Sequence, residues 1–323
     1  MMMKIFLIIL ASVVALFVIT SLAAGYYMYR FAIVRDKKAR NLWEEEITSP
    51  RGLDKSAFAI IKRGEAFAKS LPWEKITIRS HDGVDLVGRL YEKPGARGIF
   101  LMAHGYRSTG IFDFSGAIEP ISELGFSLLV IEQRGHGESG GGHVCFGVKS
   151  RHDVVRWAEY LRERFPGMPV VLDGVSMGAA TIMMGGELGY PDNVRALICD
   201  CGYTTPGEIC KKTLKRWFKL PPFPVYYAAM IFVKLFAGYS FGEASSIRGV
   251  RALADRGMPI LIAHGRADGF VPYSMAEELY EACRGDNVEL FTVDEADHGL
   301  AFLVDRDGYI EAMHRLFKKA GIE

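Results

Sequence analysis

Six short, nearly unbroken apolar runs lie along this chain at helix-sized intervals, and they constrain its fold more than any other feature. They are RGIFLMA (97–103), FSLLVIE (126–132), PVVLDG (169–174), VRALICD (194–200), PILIAH (259–264) and VELFTV (288–293). A strand with one wet face alternates apolar and polar residues, whereas a strand covered on both faces has no need to. Helical patterns stand between several of the runs: VVRWAEYLRERF (154–165), Ser176 to about Leu188, Met275–Cys283, and a last helix from about Leu300 to Lys319. Buried strands alternating with helices specify an α/β fold, a mostly parallel central sheet with helices on both faces. Two further strands, KITIRS (75–80) and VDLVGRLY (84–91), flank His81-Asp82-Gly83, and Asp-Gly is a strong hairpin signal. With 323 residues the chain has length enough for two average domains, but α/β domains of about 250 residues run as single units.

Ahead of the first strand, Ile5 to Tyr29 is a run of 25 uncharged residues; a helix needs about 20 to cross a bilayer. The run exceeds the roughly 7–15 residues of a signal-peptide core. It continues through Tyr26, Tyr27 and Tyr29, which suit a membrane interface. A cleaved signal peptide, with small residues at Ser21-Leu22-Ala23, is the rival reading. The expected organisation is a transmembrane anchor at 1–29, a juxtamembrane linker at 30–70 with a helix near Lys55–Lys69, and a folded domain at 71–323. Lys4 is the one positively charged side chain before the run, while Arg30, Arg35, Lys37, Lys38 and Arg40 follow it. The richer flank faces the cytoplasm, which would leave the N-terminus outside and the domain inside.

Charge is balanced, 39 Lys and Arg against 38 Asp and Glu. That gives no global field for nucleic acid and no acidic disordered tail. The five cysteines, Cys145, Cys199, Cys201, Cys210 and Cys283, are odd in number and scattered. They make neither a disulfide framework nor a zinc spacing and read as small buried residues in a reducing compartment. Between VRALICD and PILIAH the alternation breaks from about Gly202 to Val250. A structureless loop of that length is improbable, so an inserted helical lid is expected at about 202–250. Nine aromatics lie between Trp217 and Phe241, both included; some should line an apolar acyl pocket, unless they simply pack the lid onto the core.

Gly174-Val175-Ser176-Met177-Gly178 follows a strand and opens a helix, the context that a G-x-S-x-G nucleophile elbow requires. The sharp turn lifts the hydroxyl clear of the sheet, and glycines relieve the crowding around it. Ser176 is therefore the candidate nucleophile, and the Met177 N–H, at a helix start, a candidate oxyanion donor. A serine needs an adjacent base, itself held by a third group. Of the histidines after Ser176, His264 ends a strand and His314 sits in the terminal helix. His298 lies in the Glu295–Gly299 loop between the last strand and the last helix, where a base can reach over the sheet. Asp268, just after PILIAH, is the candidate acid, with Asp200 at the preceding strand end as its rival; Asp294 and Asp297 read as surface or loop-capping residues. The loop after the third strand, His104–Ser108, offers the Tyr106 N–H as second oxyanion donor. The glycine-rich stretch Gly135–Gly142 lacks the Gly-Lys-Ser/Thr ending of a phosphate loop.

Taken together, His104-Gly105, Arg134-Gly135-His136-Gly137-Glu138-Ser139, the elbow at Ser176, His-Gly-x-x-Asp-x-x-Val-Pro at 264–272 and Asp297-His298-Gly299 carry a family resemblance. Over about residues 71–323 the chain resembles the α/β-hydrolase superfamily, and within it membrane-anchored bacterial serine hydrolases similar to the BEM46 and ABHD13-like group. Gln133 departs from the pattern, which often has Asp before Arg-Gly-His-Gly. The resemblance implies an α/β-hydrolase fold and hydrolysis of a carboxylic ester or thioester through an acyl-enzyme. It implies a triad of Ser176, His298 and Asp268, with no cofactor, no metal and no nucleic-acid partner, and a small-molecule or lipid-like ester as substrate. A peptidase on the same machinery and a non-catalytic membrane-tethered binding module are the alternatives.

Overall fold

The computed structural model describes residues 1–36 and 55–322. Residues 37–54 of the expected linker, with Lys37, Lys38 and Arg40, lie outside the described residues. Helix α1 (Met2–Ala32) precedes α2 (Lys55–Ser70), β1 (Glu74–Arg79), β2 (Asp85–Tyr91), β3 (Gly98–Ala103), α3 (Gly110–Glu123) and β4 (Phe126–Ile131). Then come α4 (Ser150–Arg164), β5 (Val170–Val175), α5 (Met177–Gly185), β6 (Val194–Asp200), α6 (Pro206–Trp217), α7 (Val225–Phe232) and α8 (Ser246–Ala254). β7 (Ile260–Gly265), α9 (Ser274–Cys283), β8 (Val288–Val293), α10 (Ala301–Val304) and α11 (Arg306–Ala320) close the series.

The eight strands form one sheet in the order β1-β2-β4-β3-β5-β6-β7-β8. β2 runs antiparallel to both of its neighbours, and every other pairing is parallel. β3, β4 and β7 are buried at every residue, which is why they read as unbroken apolar runs. Each fully buried Leu, Ile or Phe is worth about 1.5–3 kcal/mol, so the sheet interior dominates the driving force. On one face pack Ile61, Phe114, Ile118 and Phe317; on the other, Trp157, Leu161, Met183 and Leu279. A third cluster, with Tyr29, Ile33, Met177, Tyr203 and Tyr239, lies over the strand ends that carry the elbow.

Three elements differ from the sequence reading. Helix α3 has no clear helical signature, because GIFDFSGAIEPISE contains two glycines and Pro120, all poor helix formers. It forms because the Thr109 side chain caps the amide of Phe112 and because Ile111, Phe114, Ile118 and Ile121 are buried. The terminal helix is broken at Asp305 (φ −127°, ψ 72°), whose carboxylate accepts from Gly308 N at 3.0 Å and starts α11 afresh. In the stretch between β6 and β7, α8 runs four residues past Val250 and packs against α5 and α9.

Helix α1 is long and apolar enough to be a candidate membrane span. Its first two thirds are exposed, but Gly25 and Tyr29 are buried. A Cβ on Gly25 would stand 2.5 Å from the Ala228 Cβ, so the glycine lets α1 and α7 approach closely.

Candidate active site

Ser176 occupies the turn between β5 and α5 with φ 55° and ψ −111°, a left-handed conformation that costs a non-glycine residue on the order of 1–3 kcal/mol. Two hydrogen bonds hold it there: its amide donates to Asp200 O at 2.8 Å, and its carbonyl accepts from Ala180 N at 3.0 Å. The chain passes so close to β3 that a Cβ on Gly178 would lie 1.8 Å from Ala103 O. The elbow's glycine is thus a steric requirement of this turn.

His298 comes from the loop after β8, and its Nε2 accepts from Ser176 Oγ at 2.9 Å. Its Nδ1 donates to Asp268 Oδ2 at 2.7 Å. The tautomer follows from the partners, since an ionised carboxylate can only accept. Asp268, from the loop after β7, also accepts the amides of Phe270 at 2.7 Å and Val271 at 2.8 Å on its Oδ1. Burial raises the Asp268 carboxyl, but hydrogen bonds from His264 and His298 outweigh it and hold the group well below the usual carboxylate range. It is therefore an anion at neutral pH.

The rival residues lie elsewhere. The Asp200 carboxyl is not bonded to His298; burial pushes it up to about 6, against the pull of His264 and a hydrogen bond from Tyr309. His264 is fully buried beneath Asp268, its Nε2 3.0 Å from Val271 O and 3.2 Å from Asp268 Oδ2. His314 is exposed on α11. Asp294 pairs with Arg266 at 3.0 Å on the surface. Asp297 caps loops, as its sequence position suggests: one oxygen accepts the amides of both Gly269 and His298 at 2.7 Å, tying the acid loop to the base loop.

The loop after β3 lies against the elbow, with a Cβ on Gly105 placed 3.4 Å from the Ser176 Cβ. Asp113 of α3 holds this loop, accepting Gly105 N at 2.6 Å and Ser108 Oγ at 2.5 Å. His136 accepts the amide of Arg107, which has φ 52°, at 3.1 Å. Burial, reinforced by neighbouring His104, pushes His136 down to about 3, so it stays neutral and able to accept. Among the described residues, no acceptor takes the amides of Tyr106 or Met177. His104 and Gln133 lock the strand ends together, Gln133 N donating to His104 Nε2 at 3.1 Å and Gln133 Oε1 accepting from Thr181 at 2.9 Å. Arg134 is buried between Asp153 at 2.6 Å and Asp82 at 2.8 Å. Removing one partner of such a buried pair costs about 3–5 kcal/mol, so the Arg-Gly-His-Gly segment is scaffold for the loop over the elbow. No sequence spacing announces Asp113, His136 or His264 as supports, because each acts across the fold.

Ser176 lies between two cavities. One, of about 460 Å³, is lined by Tyr106, Asp173, Asp200, Phe112, Leu303 and Tyr309 among others and has a substantial polar lining. The other, of about 250 Å³, is almost wholly apolar and runs from Ser176 and Met177 to α6, α7 and the end of α1. Cys201 offers its sulfur beside Asp268 and His298, the one such three-residue group among the described residues. Burial, with Asp200 and Asp268 close by, pushes this thiol far up; as a neutral thiol it is a weak metal ligand. All five cysteines are free.

Residues 94–230 match the family described as serine aminopeptidase, S33. The chain is 27% identical over 188 residues to uncharacterized protein YqkD of Bacillus subtilis, covering 58% of this chain and 60% of that protein; the match thus spans less than two thirds of that relative. It is 24% identical over 226 residues to a Danio rerio protein named lysophosphatidylserine lipase ABHD12, covering 67% of this chain and 51% of that one. Among solved structures it is similar to a Pyrococcus furiosus esterase, with TM-score 0.61, 23% identity, and coverage of 77% and 92% of the two chains. It is also similar to mouse alpha/beta hydrolase domain-containing protein 10, with TM-score 0.54, 18% identity, and coverage of 76% and 99%.

Proposed function

We propose that this chain, which has the α/β-hydrolase fold, is a serine hydrolase cleaving carboxylic esters or thioesters through an acyl-enzyme on Ser176. The observation that carries this reading is the hydrogen-bonded chain Ser176–His298–Asp268, whose serine lines an almost wholly apolar cavity. In the reaction, Ser176 Oγ attacks the carbonyl carbon while His298 Nε2 takes its proton. Asp268, already ionised and bonded to Nδ1, stabilises the imidazolium. The Met177 and Tyr106 amides face no competing acceptor and receive the oxyanion. Collapse expels the alcohol or thiol, which takes the proton from His298. Water then attacks the ester on Ser176 by the same route and releases the acid, restoring the serine.

The segment at about 202–250 serves as a lid, and the apolar cavity beneath it takes the acyl group. With full-length protein in detergent, esters with acyl chains of eight to twelve carbons should be cleaved at least about tenfold faster than acetyl esters, since burial of only two methylenes, at about 0.8 kcal/mol each, already supplies that factor. Aminoacyl amides should be poor substrates. Equal rates across chain lengths would remove the acyl reading, and faster cleavage of aminoacyl amides would favour the peptidase named by the matched family. Helix α1 is a single-pass anchor, with the domain on the cytoplasmic side. Protease added to intact cells should therefore leave the domain whole, and digestion before lysis would reverse the orientation.

A further inference from the structure

The anchor does not end where the enzyme begins. The last turns of α1 are built into the domain: Tyr29 is buried with its hydroxyl 2.9 Å from His143 Nε2, and Val144 N donates to Ile33 O at 2.7 Å. A helix leaves its final carbonyls without intrahelical partners. Here those of Phe31 and Ala32 accept from the Arg107 guanidinium and from the Tyr106 hydroxyl at 2.9 Å. The loop beside Ser176 thus caps the anchor helix.

The apolar cavity that begins at Ser176 has α1 as one wall, with Met28, Ala32 and Ile33, and the insert as the other, with Leu214, Tyr226 and Ala229. Outside this cavity α1 and the insert turn apolar side chains to the surroundings. On the insert Phe223 is 64% exposed and Leu235 68%, and such a patch beside a candidate span marks a membrane contact. Depth follows from the pairing of Phe223 with Phe17, ring centroids 6.3 Å apart. Phe17 stands eight positions before Gly25, roughly 12 Å further along the span. A helix crossing the bilayer carries Phe17 within the hydrocarbon, and Phe223 with it. Lys215, Arg216 and Lys219, all exposed just before this turn, then lie where lipid headgroups are.

We propose that the N-terminal helix is a wall of the acyl site: the acyl chain of a membrane-resident long-chain ester lies between α1 and the α6–α7 segment, and it enters from the bilayer. The inference rests on Ser176 being the nucleophile. A fluorophosphonate with a twelve-carbon tail ending in a diazirine tests both, because Ser176 Oγ displaces fluoride to form a P–O bond and light then fixes the tail to whatever it touches. Using the full chain in phosphatidylcholine vesicles, tail crosslinks should map to residues 28–33 and 209–230. Crosslinks confined to the larger cavity, at Ile61, Ala117 or Leu303, with Ser176 phosphonylated, would overturn the inference alone. Failure to phosphonylate Ser176 would overturn the nucleophile and the inference with it. In a second test Ala32→Trp, which fills the cavity from the anchor side, should shift the ratio of dodecanoyl to acetyl ester turnover by at least about tenfold toward acetyl. Leu16→Trp, on the exposed face of the span, should leave the ratio unchanged. An unchanged ratio in Ala32→Trp would also overturn the proposal.

Discussion

Ser176→Ala should abolish ester turnover while leaving the protein folded. The loss should be on the order of a millionfold, because removing one member of a unit that acts together costs nearly as much as removing all of it. Alanine meets the same left-handed backbone demand as serine at φ 55°, and the bonds that hold the turn come from the Ser176 amide and carbonyl. The melting temperature should therefore shift by a few degrees at most. Turnover within tenfold of wild type would remove the nucleophile from the mechanism.

Asp268→Asn should lower turnover by roughly four orders of magnitude. The asparagine can still accept the Phe270 and Val271 amides that position the residue. If its NH2 group faces His298, however, Nδ1 must accept instead of donate, and Nε2 carries the proton when it should be taking one from Ser176. The negative charge that stabilises the imidazolium is also lost. Asp200→Asn makes the contrasting case. Burial already pushes that carboxyl up to about 6, and its contact with Ser176 is through its backbone carbonyl. Its loss should be smaller than tenfold. The reverse ranking, in proteins with matched melting curves, would transfer the acid role to Asp200.

The strands and the elbow were legible because their determinants are local. An apolar run buried on both faces needs no alternation, and a glycine two residues past Ser176 is demanded by the carbonyl of Ala103. The positions of His298 and Asp268 follow from strand order, since both occupy loops that leave the same ends of the parallel strands β7 and β8. Helix α3 was not legible, because its stability is tertiary and its composition argues against a helix. Asp113, His136 and His264 were equally hidden as supports, since their roles depend on which parts of the fold meet.

The aromatics of the insert show the same limit. Tyr239 and Phe241 are buried in the third core cluster, Phe218 and Tyr226 line the apolar cavity, and Phe223 and Phe236 face outward. Packing, pocket and exposed face thus share one composition and cannot be told apart before the fold is known. Helix α1 is the clearest case. Its hydrophobicity marks a candidate span, but only the packing of Gly25, Tyr29 and Ile33 separates its exposed part from the part built into the domain.

The central claim is that His298 and Asp268 activate one particular serine. Its most direct test is the mass of the intact full-length protein after a short reaction with a small fluorophosphonate at neutral pH. The account predicts addition of one phosphonyl group, carried by the peptide containing Ser176, and none in Ser176→Ala. A label elsewhere, or one that persists in Ser176→Ala, would contradict it.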